Sequence, residues 1–340
     1  MPKTEPGVSA MDVSVIIVNW NSIAYLDECV ASIFEQTRGL NFEVIVVDNA
    51  SPSGEADLLE RRLPNVKVIK SPRNLGFAAA NNLGFAESTG EHLLFLNPDT
   101  ELEGPAINLM LEGARSLPNP GILGCKLLNT DLSVQTSCIQ TFPTILNQLL
   151  DSDSLRGRWP NCKLWGTGPL VSSTLKPAKV EVISGACMLV RRKVFESVGR
   201  FSEDYFMYAE DLDLCYKTQH AGYPNYYLGK ATVIHHGGKS TNAEFGTRMK
   251  WKSIVRFCEK HRGRPYAFAF RMAMSCAAIV RLAAITIRSL FGDPSKHPKP
   301  GQNSLLKWKL ILRTLVFPSA SPELHRASPE ARHKVEVGRI

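Results

Sequence analysis

The sequence predicts an α/β protein built on a doubly wound, mostly parallel sheet with helices on both faces. Short runs rich in Val and Ile alternate with stretches of helical periodicity, which gives a β-α-β-α-β-α-β order over residues 13–96. Several of these apolar runs stop abruptly at a polar residue. At 340 residues, with 44% hydrophobic and 21% charged residues, the chain is long enough to bury a sizeable core.

Each predicted element follows from a local pattern. Buried strands are expected where apolar and β-branched residues run together, and helices where apolar residues recur every three to four positions, with Ser22 as the cap of the first helix. The expected strands cover 13–21, 42–48, 66–69, 93–96, 122–128, 132–141, 180–189 (broken at Gly185) and 226–234. The expected helices cover 22–34, 55–62, 74–85 (opened by a Gly turn), 105–116, 191–198 and 209–221, with a long loop at 156–176.

The run Leu93–Leu96 holds the centre of the predicted sheet. Four consecutive large apolar residues predict a strand that is buried on both faces. Asn97-Pro98 ends it, because proline cannot continue a hydrogen-bonded ladder. Asp99 is then placed at the carboxyl edge of the sheet, where open α/β folds bind ligands. The alternative is that Asp99 only opens a turn or caps the helix that follows.

Charge and cysteine content narrow the functional classes. The net charge is +8, and Lys and Arg become dense after Arg248, which predicts an anionic partner such as a phosphate-bearing substrate or a membrane surface. Nucleic acid is disfavoured, because the aromatic and cationic residues of this region lie on apolar helices. The eight scattered cysteines show no CxxC spacing and indicate a reducing compartment. With no signal peptide in the polar start of the chain, we expect a cytoplasmic protein.

Four further acidic or imidazole side chains stand at predicted element ends. Asp48 and His235 end strands, and Glu210-Asp211 begins a helix. A strand-end carboxylate can accept two hydroxyl or N–H donors, an Asp–His pair can hold a divalent cation, and an acid at a helix start can accept a proton. The simpler alternatives are structural hydrogen bonds and a favourable helix dipole. The absence of GxGxxG after the first strand and of GxxxxGK[ST] argues against dinucleotide dehydrogenases and P-loop enzymes.

The last quarter of the chain predicts amphipathic helices at 267–291 and 305–317. The first is apolar except for Arg271, Arg281 and Arg288, which fall within roughly one quadrant of a helical wheel. Three arginines argue against a membrane-spanning segment, so we expect this basic stripe to lie at a membrane interface, opposite an apolar face. That apolar face is formed by Phe268, Met272, Ile279, Leu282 and Ile285. The alternative is packing on the core or on a second subunit, in a homo-oligomer. The tail 319–340 is expected to be disordered.

Seven motifs give the chain a family resemblance. In order they are VSVIIVNWN (13–21), VVDNAS (46–51), RNLGFAAANN (73–82), LFLNPDT (94–100), SGACMLVRR (184–192), VGRFSEDYFMYAEDLDL (198–214) and VIHHGGKS (233–240). Together they resemble the family 2 inverting glycosyltransferases of the GT-A fold, in particular the rhamnosyltransferase-like branch, over residues 12–262. The resemblance implies a nucleotide-sugar half at about 12–103 and an acceptor half at about 104–262. A flexible start (1–11) and a membrane-interface region (263–318) flank them.

The resemblance also implies roles for individual residues on the donor side. The resemblance implies a Mg²⁺ or Mn²⁺ ion bound to the donor diphosphate. Asp99 would bind this ion, and His235 would complete the metal site. Asn97 takes the first position of the family's DxD motif, where an acid is usual, so obligatory metal binding is in question. The implied contacts to the nucleotide-sugar are Val18, Asn19, Trp20, Asp48, Arg73, Asn74, Gly76, Asn97 and Asp99.

On the acceptor side, the resemblance implies that Asp211 is the catalytic base, with Glu210 beside it. Gly185, Ala186 and Glu210 would contact the acceptor. The implied reaction is sugar transfer with inversion from a nucleotide-sugar, with dTDP-rhamnose favoured and UDP-sugars open. The acceptor would be a glycan or a polyprenyl-diphosphate-linked sugar in cell-envelope glycan synthesis, reached by a peripheral enzyme on the inner face of the membrane.

Two other functions remain open at this point. A sugar-1-phosphate nucleotidyltransferase would also use a metal and a doubly wound sheet, but it usually carries a Gly-rich loop where this chain has Asn19-Trp20-Asn21-Ser22. A non-catalytic glycan-binding scaffold on the same fold would be expected to lose Asp99, Asp211 or His235. All three are present.

Overall fold

A computed structural model describes residues 11–52, 54–150, 155, 158–159, 162, 164, 176–237, 242–291 and 302–317. Most of the predicted loop 156–176, the first ten residues and the tail 319–340 lie outside the described residues. The described chain falls into two compact units. The first contains the sheet and the helices that flank it, and the second contains the C-terminal helices.

The first unit is built on a nine-stranded mixed sheet. Eight strands follow the order β3-β2-β1-β4-β10-β6-β11-β5, β8 pairs with β11, and β7 and β9 form a separate two-stranded sheet. The strands are β1 Val13–Asn19, β2 Phe42–Asp48, β3 Lys67–Lys70, β4 His92–Leu96, β5 Thr100–Glu103, β6 Leu123–Leu128, β7 Ile139–Gln140, β8 Ala178–Val180, β9 Val182–Ile183, β10 Cys187–Arg191 and β11 Asn225–His235.

Helices follow the strands in the first unit as the sequence predicts. They are α1 Ile23–Gln36, α2 Glu55–Arg62, α3 Phe77–Ala86, α4 Ala106–Ser116, α6 Arg192–Ser197 and α7 Glu210–His220. Because β3, β2, β1, β4, β6 and β11 all run in one direction, the prediction of a mostly parallel α/β sheet is confirmed. Only β10, β5 and β8 of the described strands in this sheet run the other way.

Strand β4 is central and buried along its whole length, as its sequence predicts. It pairs in parallel with β1 and in antiparallel with β10. On one face, Phe95 packs against Phe195 and Phe201, with ring centroids 5.0 and 4.8 Å apart. Phe85 of α3 extends this cluster, since its ring lies 5.1 Å from Phe195. Edge-to-face packing of this kind joins the strand to the helices that cover it.

Three local predictions were wrong. The predicted strand 180–189 is divided into β8, β9 and β10, and β9 belongs to the separate two-stranded sheet. The segment 132–141 is not one strand but a turn, a short 3₁₀-helix at Thr136–Cys138 and the two-residue strand β7. Leu132 has a φ of 62°, in the left-handed region, which turns the chain away from an extended path. Ser22 precedes α1, but its hydroxyl donates to the carbonyl of Trp20 instead of capping the helix.

The cysteines are free thiols, and six of the eight are buried, as expected of small apolar residues. Cys276 is exposed, however, and Cys162 is half-buried. Burial raises the pKa of Cys29 to about 12. This thiol is therefore neutral and acts as packing.

The second unit is helical. It contains α5 Ile145–Leu149, α8 Ala243–Arg262, α9 Arg264–Phe291, α10 Gln302–Val316 and the short segment Met207–Ala209. The sequence predicted α9 and α10 but missed α8. Asn242 caps the start of α8, because its side chain accepts a hydrogen bond from Glu244 N. Phe270, Met274 and Ile311 belong to the buried core between the helices. Among the described residues, one stretch, Arg264–Ser289, is long and apolar enough to cross a membrane, by length and composition only.

The arginines of α9 contradict the predicted basic stripe. Arg271 donates two hydrogen bonds to the carbonyl oxygen of Leu315, at 3.0 and 2.6 Å. Arg281 donates to the carbonyl of Leu149 at 2.8 Å, and its guanidinium lies 4.4 Å from the ring centroid of Trp308. Both guanidinium groups therefore pack inside the helical unit, because helix ends present carbonyls that lack partners within their own helix.

We predict that Phe95→Ala lowers the free energy of unfolding by about 3–5 kcal/mol, because it leaves a cavity in a fully buried aromatic cluster. Urea unfolding followed by circular dichroism measures the change. Leu132→Ala is the control: this side chain is exposed, so the change should stay within about 0.5 kcal/mol. Equal effects of the two substitutions would contradict the central role of Phe95.

Candidate active site

Several strand ends meet at one edge of the sheet. β1 and β2 end side by side, with Asn19 opposite Asp48. Antiparallel β10 begins where β4 ends, since Cys187 pairs with Leu96. β11 ends at this edge with His235. The polar residues that follow or precede these ends are thus gathered in one region, as the parallel topology predicts.

The buried carboxylate of Asp48 is fixed by its neighbours. Its Oδ1 accepts hydrogen bonds from Asn19 Nδ2 at 3.0 Å and from Ser51 Oγ at 2.6 Å. Asn19 is fully buried, and its Nδ2 also donates to Glu55 Oε2 at 2.8 Å. The amide of Asn19 is therefore engaged in orienting two carboxylates. Of these residues, the sequence indicated Asn19 and Asp48 and missed Ser51 and Glu55.

The loop that follows β3 is tied to the end of β2 by Asn49, which sequence reasoning did not single out. Asn49 Nδ2 donates to Asn74 Oδ1 at 3.0 Å, and its Oδ1 accepts from Leu75 N at 2.8 Å. Gly76 has a φ of 81°, and a Cβ there would lie 2.3 Å from the carbonyl oxygen of Phe206. The glycine is thus required by a close backbone approach, whatever it contributes to a ligand.

The other predicted nucleotide contacts differ in exposure. Val18 is buried in the sheet, Trp20 is half-buried and Arg73 is exposed. Trp20 directly follows the end of β1, and Arg73 precedes the Asn74 loop. Trp20 and Arg73 can therefore reach a ligand with their side chains, whereas Val18 can do so only through its backbone.

Asp99 and His235, far apart in sequence, lie together at the end of β4. Asp99 is buried, and its Oδ1 lies 3.4 Å from His235 Nε2. Asn97 Nδ2 lies 3.3 Å from the same nitrogen. The other ring nitrogen, Nδ1, lies 2.9 Å from Gln135 Oε1. The structure thus gathers three residues that the sequence indicated and adds Gln135, which lies in the segment that was mistaken for a strand.

The donor set at Asp99 and His235 fits a divalent cation. Two ligands at about 2.1 Å from one octahedral ion stand about 3 Å apart, close to the 3.4 Å between Asp99 Oδ1 and His235 Nε2. The described part of the chain gathers no cluster of three or more His, Cys, Asp or Glu side chains. A cation bound by Asp99 and His235 alone would keep coordination positions open to solvent and to a diphosphate.

Asp211 meets the turn that precedes β10. Its Oδ2 accepts a hydrogen bond from Gly185 N at 3.0 Å, and its Oδ1 accepts from Leu212 N at 2.8 Å. The same turn is joined to the end of β4, because Asn97 N donates to Ala186 O at 3.0 Å. Two hydrogen bonds donated by backbone N–H groups therefore link the predicted base, the predicted acceptor turn and the Asn97–Asp99 segment.

The three acids at the start of α7 have different environments. Asp213 is fully buried and accepts from Ser202 Oγ at 2.6 Å, with Lys217 Nζ at 3.4 Å. Glu210 is also buried, and its Oε2 has no hydrogen-bond partner among the described residues. Burial first, and then the charge of Asp211, raise the pKa of Glu210 well above its usual range. Burial and the neighbouring charge of Asp211 therefore favour the neutral form of the Glu210 carboxyl.

The comparisons with known proteins agree with this geometry. The chain is similar to a mannosyltransferase from Pyrobaculum calidifontis, solved in complex with GDP-Man and Mn²⁺, with a TM-score of 0.58 and 16% identity over 94% of this chain and 92% of that one. It is also similar to GalNAc-T7, solved with UDP, GalNAc and Mn²⁺, with a TM-score of 0.56 and 15% identity over 89% of this chain and 54% of that one. These likenesses establish the fold as that of the GT-A glycosyltransferases.

Sequence comparisons define the family. The family model described as glycosyl transferase family 2 matches residues 14–199. N-acetylglucosaminyl-diphospho-decaprenol L-rhamnosyltransferase of Mycobacterium tuberculosis is 31% identical over 73% of this chain and 85% of its own length. Rhamnosyltransferase WbbL of Escherichia coli is 26% identical over 55% of this chain and 71% of its own length. This chain belongs to glycosyl transferase family 2 and is a nucleotide-sugar-dependent glycosyltransferase, which decides against the nucleotidyltransferase and the non-catalytic scaffold.

We predict that Glu210→Gln becomes more stable relative to the native protein as the pH rises. The native state holds the Glu210 proton above the ordinary pKa of about 4.3, where the unfolded chain releases it. Stability tied to this proton is complete below that value and is lost as the pH rises toward the raised native pKa. Glutamine resembles the neutral acid and removes the loss.

Thermal unfolding of both proteins between pH 4 and pH 8 measures this difference. Glu112→Gln is the matched control, because Glu112 is exposed on α4. A constant gap between Glu210→Gln and the native protein over this range would contradict a neutral, buried Glu210.

Proposed function

We propose that this protein transfers rhamnose from dTDP-rhamnose to a hydroxyl of a polyprenyl-diphosphate-linked sugar, with inversion, in cell-envelope glycan synthesis. The observation that carries the proposal is the junction of the Asp211 carboxylate, the Gly185 turn and the Asn97–Asp99 segment at one sheet edge. The names of the two rhamnosyltransferase relatives support the sugar, and the Mycobacterium tuberculosis relative supports the lipid-linked acceptor.

Asp211 is the proposed general base. An acceptor hydroxyl is a poor nucleophile at neutral pH, so a carboxylate must take its proton as it attacks the anomeric carbon. Two backbone N–H groups hold the Asp211 carboxylate in one orientation. The environment of Glu210 supports this role, because burial raises its pKa and so disfavours a second negative charge beside the base. A single displacement of this kind inverts the anomeric centre without a covalent intermediate.

Asp99 and His235 are the proposed ligands of a divalent cation. When bound, the cation would stabilise the negative charge that develops on the departing nucleoside diphosphate. Mg²⁺ prefers oxygen ligands and holds its waters tightly, so the imidazole nitrogen of His235 favours Mn²⁺ of the two candidates. The Mn²⁺ bound to both similar solved structures supports this choice.

On the nucleotide side, Asp48 is the proposed contact to the ribose or base, with Asn19 holding it in place. Trp20 follows the end of β1, and Arg73 precedes the Asn74 loop. Both have exposed surface, and they are proposed to contact the base and the phosphates. Gly76 shapes the loop between them. UDP-sugars share the diphosphate and ribose, so they are the competing donors in any test.

We predict that Asp211→Asn lowers the turnover number by about 10²–10⁴-fold while donor affinity stays within about twofold. Asparagine still offers an oxygen to Gly185 N, so the turn should hold. Release of nucleoside diphosphate with dTDP-rhamnose, and in parallel with UDP-sugars, measures turnover, and calorimetry measures donor binding. Asp204→Asn, an exposed acid shortly before α7, is the control. Turnover at the native rate in Asp211→Asn would refute the base assignment.

Peripheral attachment to the inner face of the membrane is the second part of the proposal. With Arg271 and Arg281 turned inward, the outer surface of α9 is strongly apolar. The same helical unit carries exposed cations, Arg288 of α9 and Lys307 and Lys309 of α10. A unit with an exposed apolar face and exposed cations suits an anionic bilayer surface, where a polyprenyl acceptor resides. The exposed apolar side chains of α9 are Phe268, Met272, Ile279, Val280 and Ile287.

We predict that the double variant Val280→Glu with Ile287→Glu loses at least about tenfold in binding to anionic vesicles, because each side chain contributes about 1.5–3 kcal/mol when buried in lipid. Vesicle co-sedimentation measures binding, and Leu132→Glu, an equally exposed apolar residue of the first unit, is the control. Unchanged vesicle binding would contradict the proposal. A loss of dimer mass in light scattering, with vesicle binding unchanged, would show instead that α9 contacts a second subunit.

A further inference from the structure

Gln135 makes two hydrogen bonds to one residue, His235. Its Nε2 donates to the backbone carbonyl oxygen of His235 at 2.7 Å, and its Oε1 lies 2.9 Å from the Nδ1 of the same residue. The side-chain amide thus bridges the backbone and the ring at the last position of β11. One side chain therefore fixes both the position and the rotation of this imidazole.

These two contacts determine which ring nitrogen carries the proton. The carbonyl of His235 can only accept, so the Gln135 nitrogen must face it. The Gln135 oxygen then faces Nδ1, and because an amide oxygen can only accept, Nδ1 must carry a hydrogen. In the neutral ring the other nitrogen, Nε2, is left with a free lone pair. That nitrogen is the one that lies 3.4 Å from Asp99 Oδ1.

The position of Asn97 agrees with this assignment. Its Nδ2, a donor, lies 3.3 Å from His235 Nε2, as expected if Nε2 is an acceptor. An aspartate at this position would offer the lone pair no donor. The neutral residue in the first DxD position therefore has a structural reason in this chain.

The backbone around Gln135 is held firmly enough for such a role. Gln135 N donates to Leu127 O at 2.8 Å, which attaches it to β6. The turn before it is closed by Asn129 N to Ser133 O at 2.8 Å, and Asp131 Oδ1 accepts from Ser133 N at 3.0 Å. Gln135 thus approaches His235 from a fixed hairpin, which limits the entropy lost in holding its side chain.

We propose that Gln135 is a positioning residue. It holds His235 as its Nδ1–H tautomer, so that the unprotonated Nε2 faces Asp99 and can bind a cation. This inference rests on the cation site of the proposed function. Partners that orient a ligating histidine in this way typically alter metal affinity by 10–100-fold when they are removed. None of the seven sequence motifs includes Gln135, and glutamine does not by itself indicate a metal site. The role of Gln135 is therefore inferred from the geometry.

The test compares Gln135→Met, which keeps the length of the side chain and removes both hydrogen bonds, with Gln135→Glu, which keeps the acceptor for Nδ1. Nitrogen-15 spectra of histidine-labelled, metal-free protein at a pH where the rings are neutral report the tautomer of His235. Its signal is identified by its loss in His235→Ala. We expect the Nδ1–H form in the native protein and in Gln135→Glu, and a shift toward Nε2–H in Gln135→Met.

Calorimetric titration with Mn²⁺ in the presence of the nucleoside diphosphate provides the second measurement. Gln135→Met should weaken Mn²⁺ binding by about 10–100-fold. In the His235→Ala background the same substitution should have no further effect. Gln140→Met, a glutamine of the same segment whose amide donates to the carbonyl of Ser137, should leave both the tautomer and the affinity unchanged.

The outcomes separate this inference from the proposed function. An unchanged Nδ1–H tautomer in Gln135→Met, with the fold intact by thermal unfolding, would overturn the role of Gln135. Native Mn²⁺ affinity in His235→Ala would instead overturn the cation site itself. A tautomer shift together with weaker Mn²⁺ binding in Gln135→Met would support both.

Discussion

The antiparallel pairing of β10 with β4 is the constraint on which the site depends. In an all-parallel sheet only strand ends would meet at the ligand-binding edge. Because β10 runs the other way, the turn before it, with Gly185 and Ala186, also reaches that edge. One backbone hydrogen bond, from Asn97 N to Ala186 O, continues the ladder past the end of β4. The Asn97–Asp99 segment and the Gly185-Ala186 turn, which are the proposed donor and acceptor sides, are therefore joined by a main-chain hydrogen bond.

Three acids in one helical turn could not all be ionised at low cost, and their surroundings separate them. Asp213 accepts a hydrogen bond from Ser202 Oγ and lies 3.4 Å from Lys217 Nζ. Asp211 accepts two backbone N–H groups at the start of α7, where the helix dipole also favours negative charge. Glu210 is buried, its Oε2 has no hydrogen-bond partner among the described residues, and burial raises its pKa. Different environments of this kind can separate a proposed base from a neighbour whose neutral form is favoured.

The sequence predicted the fold well where burial repeats along an element, and less well where a contact decides the structure. The run Leu93–Leu96 predicted a central strand because all its residues are apolar, with no alternation of apolar and polar side chains. Periodicity could place Arg271 and Arg281 on one side of α9, but it could not show that this side packs on neighbouring carbonyls. In the same way, the residues around Gln135 do not predict the hairpin that brings its side chain to His235. Contacts between segments that are distant in sequence leave no local pattern by which they could be predicted.

The neutral residue at position 97 would change the electrostatics of donor binding at the proposed site. A site with two carboxylates would repel a diphosphate strongly unless a cation were already present, because like charges a few ångströms apart interact strongly where water is largely excluded. With Asn97, Asp99 is the one carboxylate of the Asn97-Pro98-Asp99 segment, and the Asn97 amide can donate to His235 Nε2 in the metal-free state. In the proposed site, repulsion of the donor diphosphate before a cation binds would be correspondingly smaller. The neutral Asn97 would therefore make donor binding depend less on the cation, although it is itself a weaker cation ligand than an acid.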